Sequence, residues 1–365
     1  MAALTGIRVL DFSTLLPGPL ATLILAEAGA DVIKIERPGG GDEMRAMGPS
    51  LEGLGVWFAM LNRGKAARVV DLKDPTAVRE LRHMLPTVDV VVEQFRPGVM
   101  ARLGLGPHEV REINPRVVYC SITGFGQDGP DAGRAGHDLT YLAESGLLSL
   151  VTDRHSAEPS GRFERPVLPP GLLADIAGGA YPAVMNILLA LRQRESTGLG
   201  CHLDISMADG LWPFAFWALG EHAAGRAPSP GRALFTGGSP RYQIYETADR
   251  RFVAAAPLEQ RFWDAFCDVI GLPAAYRDDA RDPDGTIVQV AACVRLHSAD
   301  EWASRFEGRD VCCAVVRSLE EAMVHPHVKA RGVLLETIPL GTRTVPALPV
   351  PLAQALRRFG GQVLP

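Results

Sequence analysis

The feature that most constrains this 365-residue chain is a regular exchange of short apolar runs and helix-forming stretches over residues 1–130. The runs are IRVLDF (7–12), ADVIKIE (30–36), ARVVDL (67–72), DVVVEQF (89–95) and RVVYCSITGF (116–125). They are apolar almost throughout rather than at every second residue. Such strands are buried on both faces, and a parallel sheet covered by helices on either side does this. The intervening stretches read as those helices. PGPLATLILAEAG (17–29) has proline at its start and glycine past its end, and DPTAVRELRHML (74–85) opens on a capping aspartate, Asp74. The expected class is α/β, with a doubly wound, Rossmann-like sheet.

That architecture often serves dinucleotides or ATP, but the fingerprints are absent. The first strand runs into STLLPGPLA, not GxGxxG, and no GxxxxGK[ST] occurs. Fold alone does not supply the function. An apolar share of 47% and a charged share of 22% suit a globular chain with a large core. The net charge of −5 without a basic stripe argues against nucleic acid. No apolar run of about 18 residues stands out, so no membrane span is expected, and the N-terminus reads as a strand rather than a secretion signal. Six cysteines without a CxxC, mostly in apolar surroundings such as VVYCSI and DVCCAVV, are expected to be buried, reduced thiols of a cytoplasmic protein. No metal site is expected.

The second half changes character. Residues 151–170 are polar and proline-rich and read as a surface loop. Residues 175–198 form a helix that is apolar until its last turn, where Arg192 and Arg194 suit the dipole and Gly198 ends it. A short strand and another apolar helix fill 203–220. The glycine- and proline-rich stretch 221–240 reads as a linker. A hairpin (YQIYET, ADRR, FVAAAP), the helix EQRFWDAFCDVIG, and two capping boxes, Ser298 with Glu301 and Ser318 with Glu321, then outline a smaller α+β domain. The boundaries are 1–220 for the large domain and 221–329 for linker and small domain.

Several residues have a bland reading and a chemical one. Asp175 opens its helix as a capping aspartate would. Gly178 and Gly179, poor helix formers, instead suit close approach of a ligand to amide groups that hold an oxyanion. His137, heading AGHDLTYLAESGLLSL, is either a satisfied core histidine or a group facing a cavity. Glu259 is either a solvated first-turn glutamate or a site residue. Arg37, Arg63, Lys65, Lys73, Arg96 and Arg102 are ordinary surface charges, or they gather at strand ends, where such sheets bind ligands, to receive an anionic, phosphate-bearing molecule.

These stretches, with NRGKAARVVDLKDP, VVVEQFRPGVMARLGLG, INPRVVYCSITGFGQDGP, AGHDLTY and ADIAGGAYPAVMNILLALRQRESTGLG, resemble the family III CoA-transferase and α-methylacyl-CoA racemase superfamily over roughly three-quarters of the chain, in order. The resemblance implies an interlocked homodimer. Its large domain is completed by about 330–365, and each site lies between the large domain of one subunit and the small domain of the other. It implies an acyl-CoA thioester as substrate and no cofactor beyond that coenzyme A. Asp175 matches the aspartate that is a nucleophile in the transferases and a base in the racemases. His137 matches the opposing histidine of the racemase GHD motif, where transferases are expected to carry GYD, and Glu259 matches the glutamate that supports it. Arg37, Val70, Asp71, Leu72, Lys73, Gln94, Phe95, Arg96, Arg102, Gly136, Asp138 and Tyr141 match positions that line the CoA site. With the three racemase positions filled, the implied reaction is 1,1-proton transfer on a 2-methylacyl-CoA, the enolate held by amides 175–179; the transferase chemistry is the alternative. Two departures stand out. The loop before Asp175, with HSAEP and RFERP, is long and could reshape the acyl pocket. The ADRR turn lacks the glycine usual there.

Overall fold

The computed structural model describes residues 2–152, 165–226 and 230–357. Of these, residues within 1–145, 169–214 and 327–365 form one compact unit, and those within 146–168 and 215–326 a second. Residues 146–152 and 165–168 thus group with the second unit, although the sequence reading put them in the large domain. The loop segment HSAEP and most of RFERP lie outside the described residues.

The first unit carries a six-stranded sheet: β1 Arg8–Asp11, β2 Asp31–Glu36, β3 Ala66–Val69, β4 Val90–Glu93, β5 Val118–Thr123 and β6 His202–Ser206. All neighbours pair in parallel. The spatial order is β3-β2-β1-β4-β5-β6, so the chain reverses direction across the sheet between β1 and β4. In sheets of this order a ligand crevice opens beyond the strand ends at that reversal. The central strands are buried along their length, with Val90, Val92, Val118 and Cys120 at most 1% exposed, as the continuous apolar runs require. Helix α1 (Pro17–Glu27) has proline at its start, and α2 (Pro75–Met84) is capped by Asp74, whose carboxylate accepts from the Thr76 N–H. Helix α3 (Pro107–Ile113) precedes β5, and α4 (Asp138–Glu144) follows it.

The long apolar helix starts one residue earlier than expected and its first turns, Ala174–Ala180, are π-helical; α5 (Tyr181–Thr197) continues it to Gly198 at φ +73°. Joined, residues Ala174–Thr197 are long and apolar enough, by length and composition, to cross a membrane, contrary to the sequence expectation. In this fold Ala183, Ile187, Ala190 and Leu191 bury one stripe, and the helix packs on α1, β5 and β6. Arg194 does more than complement the dipole: it is buried and sits 2.9 Å from Asp89.

In the second unit β7 (Gln243–Glu246) and β8 (Phe252–Ala255) form the expected antiparallel hairpin, joined on the other side of β8 by β9 (Cys313–Val315). Helices α6 (Gln260–Ile270), α7 (Pro283–Val294) and α8 (Ala299–Phe306) accompany it, and the core centres on Trp263, Phe266, Val290 and Trp302. Both capping boxes form. All six cysteines are free thiols, but only Cys120 and Cys267 are buried. Cys201, Cys293 and Cys313 are half-buried, and Cys312 is exposed at φ +47°. The expectation of uniformly buried thiols is therefore corrected.

Candidate active site

Two adjoining cavities open at the strand ends of the first unit. The first, about 380 Å³, is walled by Phe12, Ile35, Arg37, the run Val70 to Lys73, and Phe95. The second, about 540 Å³, is walled by Gln94, Phe95, Arg96, Thr123, Gly124, Gly136, His137, Tyr141, Asp175 and Met207. Thr14 and Phe95 line both. The structure therefore brings His137 and Asp175, 38 positions apart in the chain, to one cavity at the reversal point.

The two are held by different devices. His137 is exposed and precedes α4; its N–H donates to Thr140 Oγ1 at 2.9 Å, and its carbonyl accepts from the Thr140 N–H at 2.8 Å. That reciprocal bond fixes the backbone, and among the described residues the imidazole has no hydrogen bond, so the satisfied-core reading does not apply. Tyr141 donates its hydroxyl to the Gly136 carbonyl at 2.7 Å and sets its ring edge-on against Phe125. Asp138 is buried, and its Oδ1 accepts the Asp175 N–H at 3.0 Å. Asp175 is half-buried. Burial first, and the Asp138 carboxylate second, raise its pKa to about 6, against an opposing pull from His137.

Two expectations about the helix start are corrected. Asp175 does not cap the helix, whose first flanking residue is Leu173. Among the amides of 175–179, the Asp175 N–H is taken by Asp138 and the Ile176 N–H by the Leu172 carbonyl, so these two are not available to an oxyanion. Gly178 and Gly179 serve packing instead of ligand approach. A Cβ on Gly178 would lie 2.4 Å from the Met207 carbonyl oxygen, and one on Gly179 would lie 2.9 Å from the Met207 side chain.

The expected cations divide. Arg37 and Lys73 are exposed and line the first cavity, Arg37 paired with Glu43 at 2.8 Å; Arg96 is exposed and lines the second. Arg102 lines neither. Arg63 and Lys65 are no ligand cations, because both are buried in the scaffold. Arg63 holds Glu27 at 2.8 Å and donates to the Met60 and Leu348 carbonyls. Lys65 sits 3.2 Å from Asp11 and donates to the Pro19 carbonyl and Asn62 Oδ1, each at 2.9 Å. Beside it Lys34 meets Asp42 at 2.9 Å and the Ser13 carbonyl at 2.7 Å. Burial pushes Asp11 upward, but Lys65, Lys34, Ser13 and Thr22 more than offset it and leave it low; burial brings Lys65 down to about 8. This network clamps the turn after β1. There Leu15, a non-glycine at φ +62°, gives its N–H to Asp42 Oδ1 at 3.0 Å in the cavity wall. Gln94 likewise accepts the Gly18 N–H at 2.9 Å. Among the cavity residues that sequence reasoning missed are Thr14, Leu15, Thr123, Arg134 and Met207. They show no residue-level signal; position alone marks some of them, since Thr123 closes β5, Met207 directly follows β6, and Thr14 and Leu15 follow β1.

Glu259 lies in the second unit, exposed, at the position preceding α6; its carbonyl accepts the Phe262 and Trp263 N–H groups at 3.0 Å, and it lines neither cavity.

Comparison with known proteins places the chain. Residues 4–360 match the model of CoA-transferase family III. The human α-methylacyl-CoA racemase is 35% identical over 90% of this chain and 82% of its own length. The succinyl-CoA:glutarate CoA-transferase of Mus musculus is 32% identical over 92% of this chain and 77% of its own. The crystal structure of Rv3272 from Mycobacterium tuberculosis, 27% identical, covers 98% of this chain and 94% of that one with a TM-score of 0.82. The chain belongs to CoA-transferase family III, whose members are acyl-CoA racemases and CoA-transferases.

Proposed function

We propose that the protein is an acyl-CoA racemase that interconverts (2R)- and (2S)-2-methylacyl-CoA by 1,1-proton transfer between His137 and Asp175. The observation that carries this reading is the pairing of these two groups on one cavity, with the carboxyl raised to about 6. That value lets the carboxyl release its proton in one half of the exchange and hold it in the other near neutral pH.

The cycle balances with two protein groups. Ionised Asp175 removes the α-proton from one enantiomer, the electron pair moves onto the thioester oxygen as an enolate, and the His137 imidazolium returns a proton to the opposite face of the carbon. The site is left as protonated Asp175 and neutral His137, the state that starts the reverse reaction. No metal or redox cofactor is needed for this balance. The coenzyme moiety occupies the first cavity, where Arg37 and Lys73 meet its phosphates, and its thioester arm passes Thr14 and Phe95 into the second. Arg96 contributes at the mouth of the second cavity. The working form is a homodimer in which a second copy supplies Glu259 to support the imidazole; the exposed side chains of Tyr181, Met185, Leu188 and Leu189 on α5 suit burial between copies. The reduced thiols suit a cytoplasmic setting.

Incubation of the purified protein with a panel of chiral 2-methylacyl-CoA thioesters in D₂O tests the reading. Racemisation with one α-deuterium gained is expected, and it should be lost in both His137→Ala and Asp175→Ala. The CoA-transferases among the relatives favour a second reading, in which Asp175 attacks the thioester and carries the acyl group as an anhydride. An acyl-enzyme trapped by hydroxylamine, activity that requires an acceptor acid, and tolerance of His137→Ala would establish that reading and overturn the first.

A further inference from the structure

The Asp175 and Ile176 N–H groups are engaged within the protein and are not free to hold a developing enolate oxygen. Other polar groups of the cavity wall are engaged too: the His137 N–H with Thr140, the Tyr141 hydroxyl with Gly136, the Leu15 N–H with Asp42. Thr123 differs. It is the last residue of β5, 7% exposed, and lines the cavity that holds His137 and Asp175. Its carbonyl accepts the Met207 N–H at 2.9 Å, but its buried Oγ1 has no hydrogen-bond partner among the described residues. A buried hydroxyl left unpaired opposes folding, and valine would fill the same volume without that penalty. The hydroxyl gains a use when something polar enters the cavity.

We propose that Thr123 is a catalytic residue whose hydroxyl donates a hydrogen bond to the carbonyl oxygen of the bound acyl-CoA thioester. This inference rests on the reading that the cavity takes an acyl-CoA. The bond strengthens as the oxygen gains charge in the enolate, so its main effect falls on turnover rather than on capture of the coenzyme. No other group is consumed or changed, since the hydroxyl keeps its proton throughout.

Thr123→Val and Thr123→Ser, made in the full-length protein, test it. The valine variant should lose about 10- to 100-fold in kcat for α-deuterium exchange, with KM little changed and an unfolding temperature equal to or above that of the parent. The serine variant should stay within about threefold. A second readout does not depend on turnover: calorimetric affinity for a 2-methylacyl-CoA against the S-alkyl-CoA thioether that lacks the carbonyl. The parent should prefer the thioester, and valine should erase that preference while leaving thioether affinity unchanged. Retention of the preference and of exchange by the valine variant would overturn the assignment. So would a drop in unfolding temperature accompanied by equal losses for both ligands, which marks a purely structural hydroxyl. If the parent exchanges no α-proton but valine still abolishes the thioester preference, the contact stands and the racemase reading falls.

Discussion

Asp138 binds Asp175 through the backbone while opposing it through charge: its Oδ1 accepts the Asp175 N–H at 3.0 Å, and its negative charge adds to burial in holding the Asp175 carboxyl up at about 6. One carboxylate therefore both positions the base and tunes it. Asp138→Asn keeps an acceptor oxygen and removes the charge. In the pH profile of kcat/KM for α-exchange, the limb that reports ionisation of Asp175 should then move to lower pH, with maximal rate little altered. Asp138→Ala loses the anchor as well, and should lower the maximal rate in addition to shifting the limb. An unmoved limb in the asparagine variant would show that the charge of Asp138 does not act on the base.

Gly178 is a packing residue. The 2.4 Å that would separate its Cβ from the Met207 carbonyl oxygen involves backbone on both sides, and a Cβ added to Gly210 on the facing segment would lie 2.4 Å from the Gly178 carbonyl oxygen. Neither backbone can yield as a flexible side chain would. Gly178→Ala should destabilise the protein by about 1–3 kcal/mol, the usual range for overpacking, read as a lower denaturant midpoint at unchanged m-value. Thioester affinity per folded molecule should hold. Loss of affinity without loss of stability would restore the ligand-approach role for this glycine.

Much of the fold was legible because continuous apolar runs and helix termini are local signals. The strands at Val90–Glu93 and Val118–Thr123, the Asp74 cap and both capping boxes all follow from a few neighbouring residues. The site was legible differently: His137 and Asp175 each stood out in the sequence, but only a resemblance paired them, and their meeting depends on the sheet reversal that no local pattern encodes. Lys65 shows the limit. In NRGK it reads as a solvated cation, yet it lies 1% exposed against Asp11, because a residue far away in sequence supplies the counter-charge. Gly178 and Gly179 misled for the same reason, since the atoms that need their missing Cβ belong to Met207.

Glu93 offers a test of stability against pH. It is 4% exposed at the end of β4, its Oε2 accepts the Phe95 N–H at 2.8 Å, and burial above all lifts its pKa to about 7, with Asp204 adding and Ser121 opposing. In the unfolded chain it releases its proton near the ordinary glutamate value of 4.5. The native state therefore holds more protons than the unfolded state between pH 4.5 and 7, and the contribution of Glu93 to stability is lost as pH rises through that window. Glu93→Gln keeps an acceptor for Phe95 and cannot ionise. It should match the parent near pH 4.5 and exceed it by roughly 3 kcal/mol above pH 7, measured by denaturant unfolding across the range. A difference that does not change with pH would contradict the buried titration.

The turn between β7 and β8 provides the last test, and it concerns the residue standing where the sequence lacks a glycine. Arg250 adopts φ +61°, its N–H donates to the Thr247 carbonyl at 3.1 Å, and its side chain is exposed. A left-handed backbone costs an L-residue about 1–2 kcal/mol, while glycine there raises unfolded-state entropy by less than that. Asp249 holds the turn in place, accepting from the Thr247 hydroxyl at 2.5 Å and the Ala299 N–H at 3.0 Å, so the strain cannot relax by moving the hairpin. Arg250→Gly should raise stability by up to about 1 kcal/mol, or a few degrees in Tm. Arg250→Ala removes the same side chain but keeps the Cβ, and should leave Tm within about one degree of the parent. If both variants rise together, the arginine side chain rather than the backbone carries the strain; if glycine lowers Tm, the turn is unstrained as it stands.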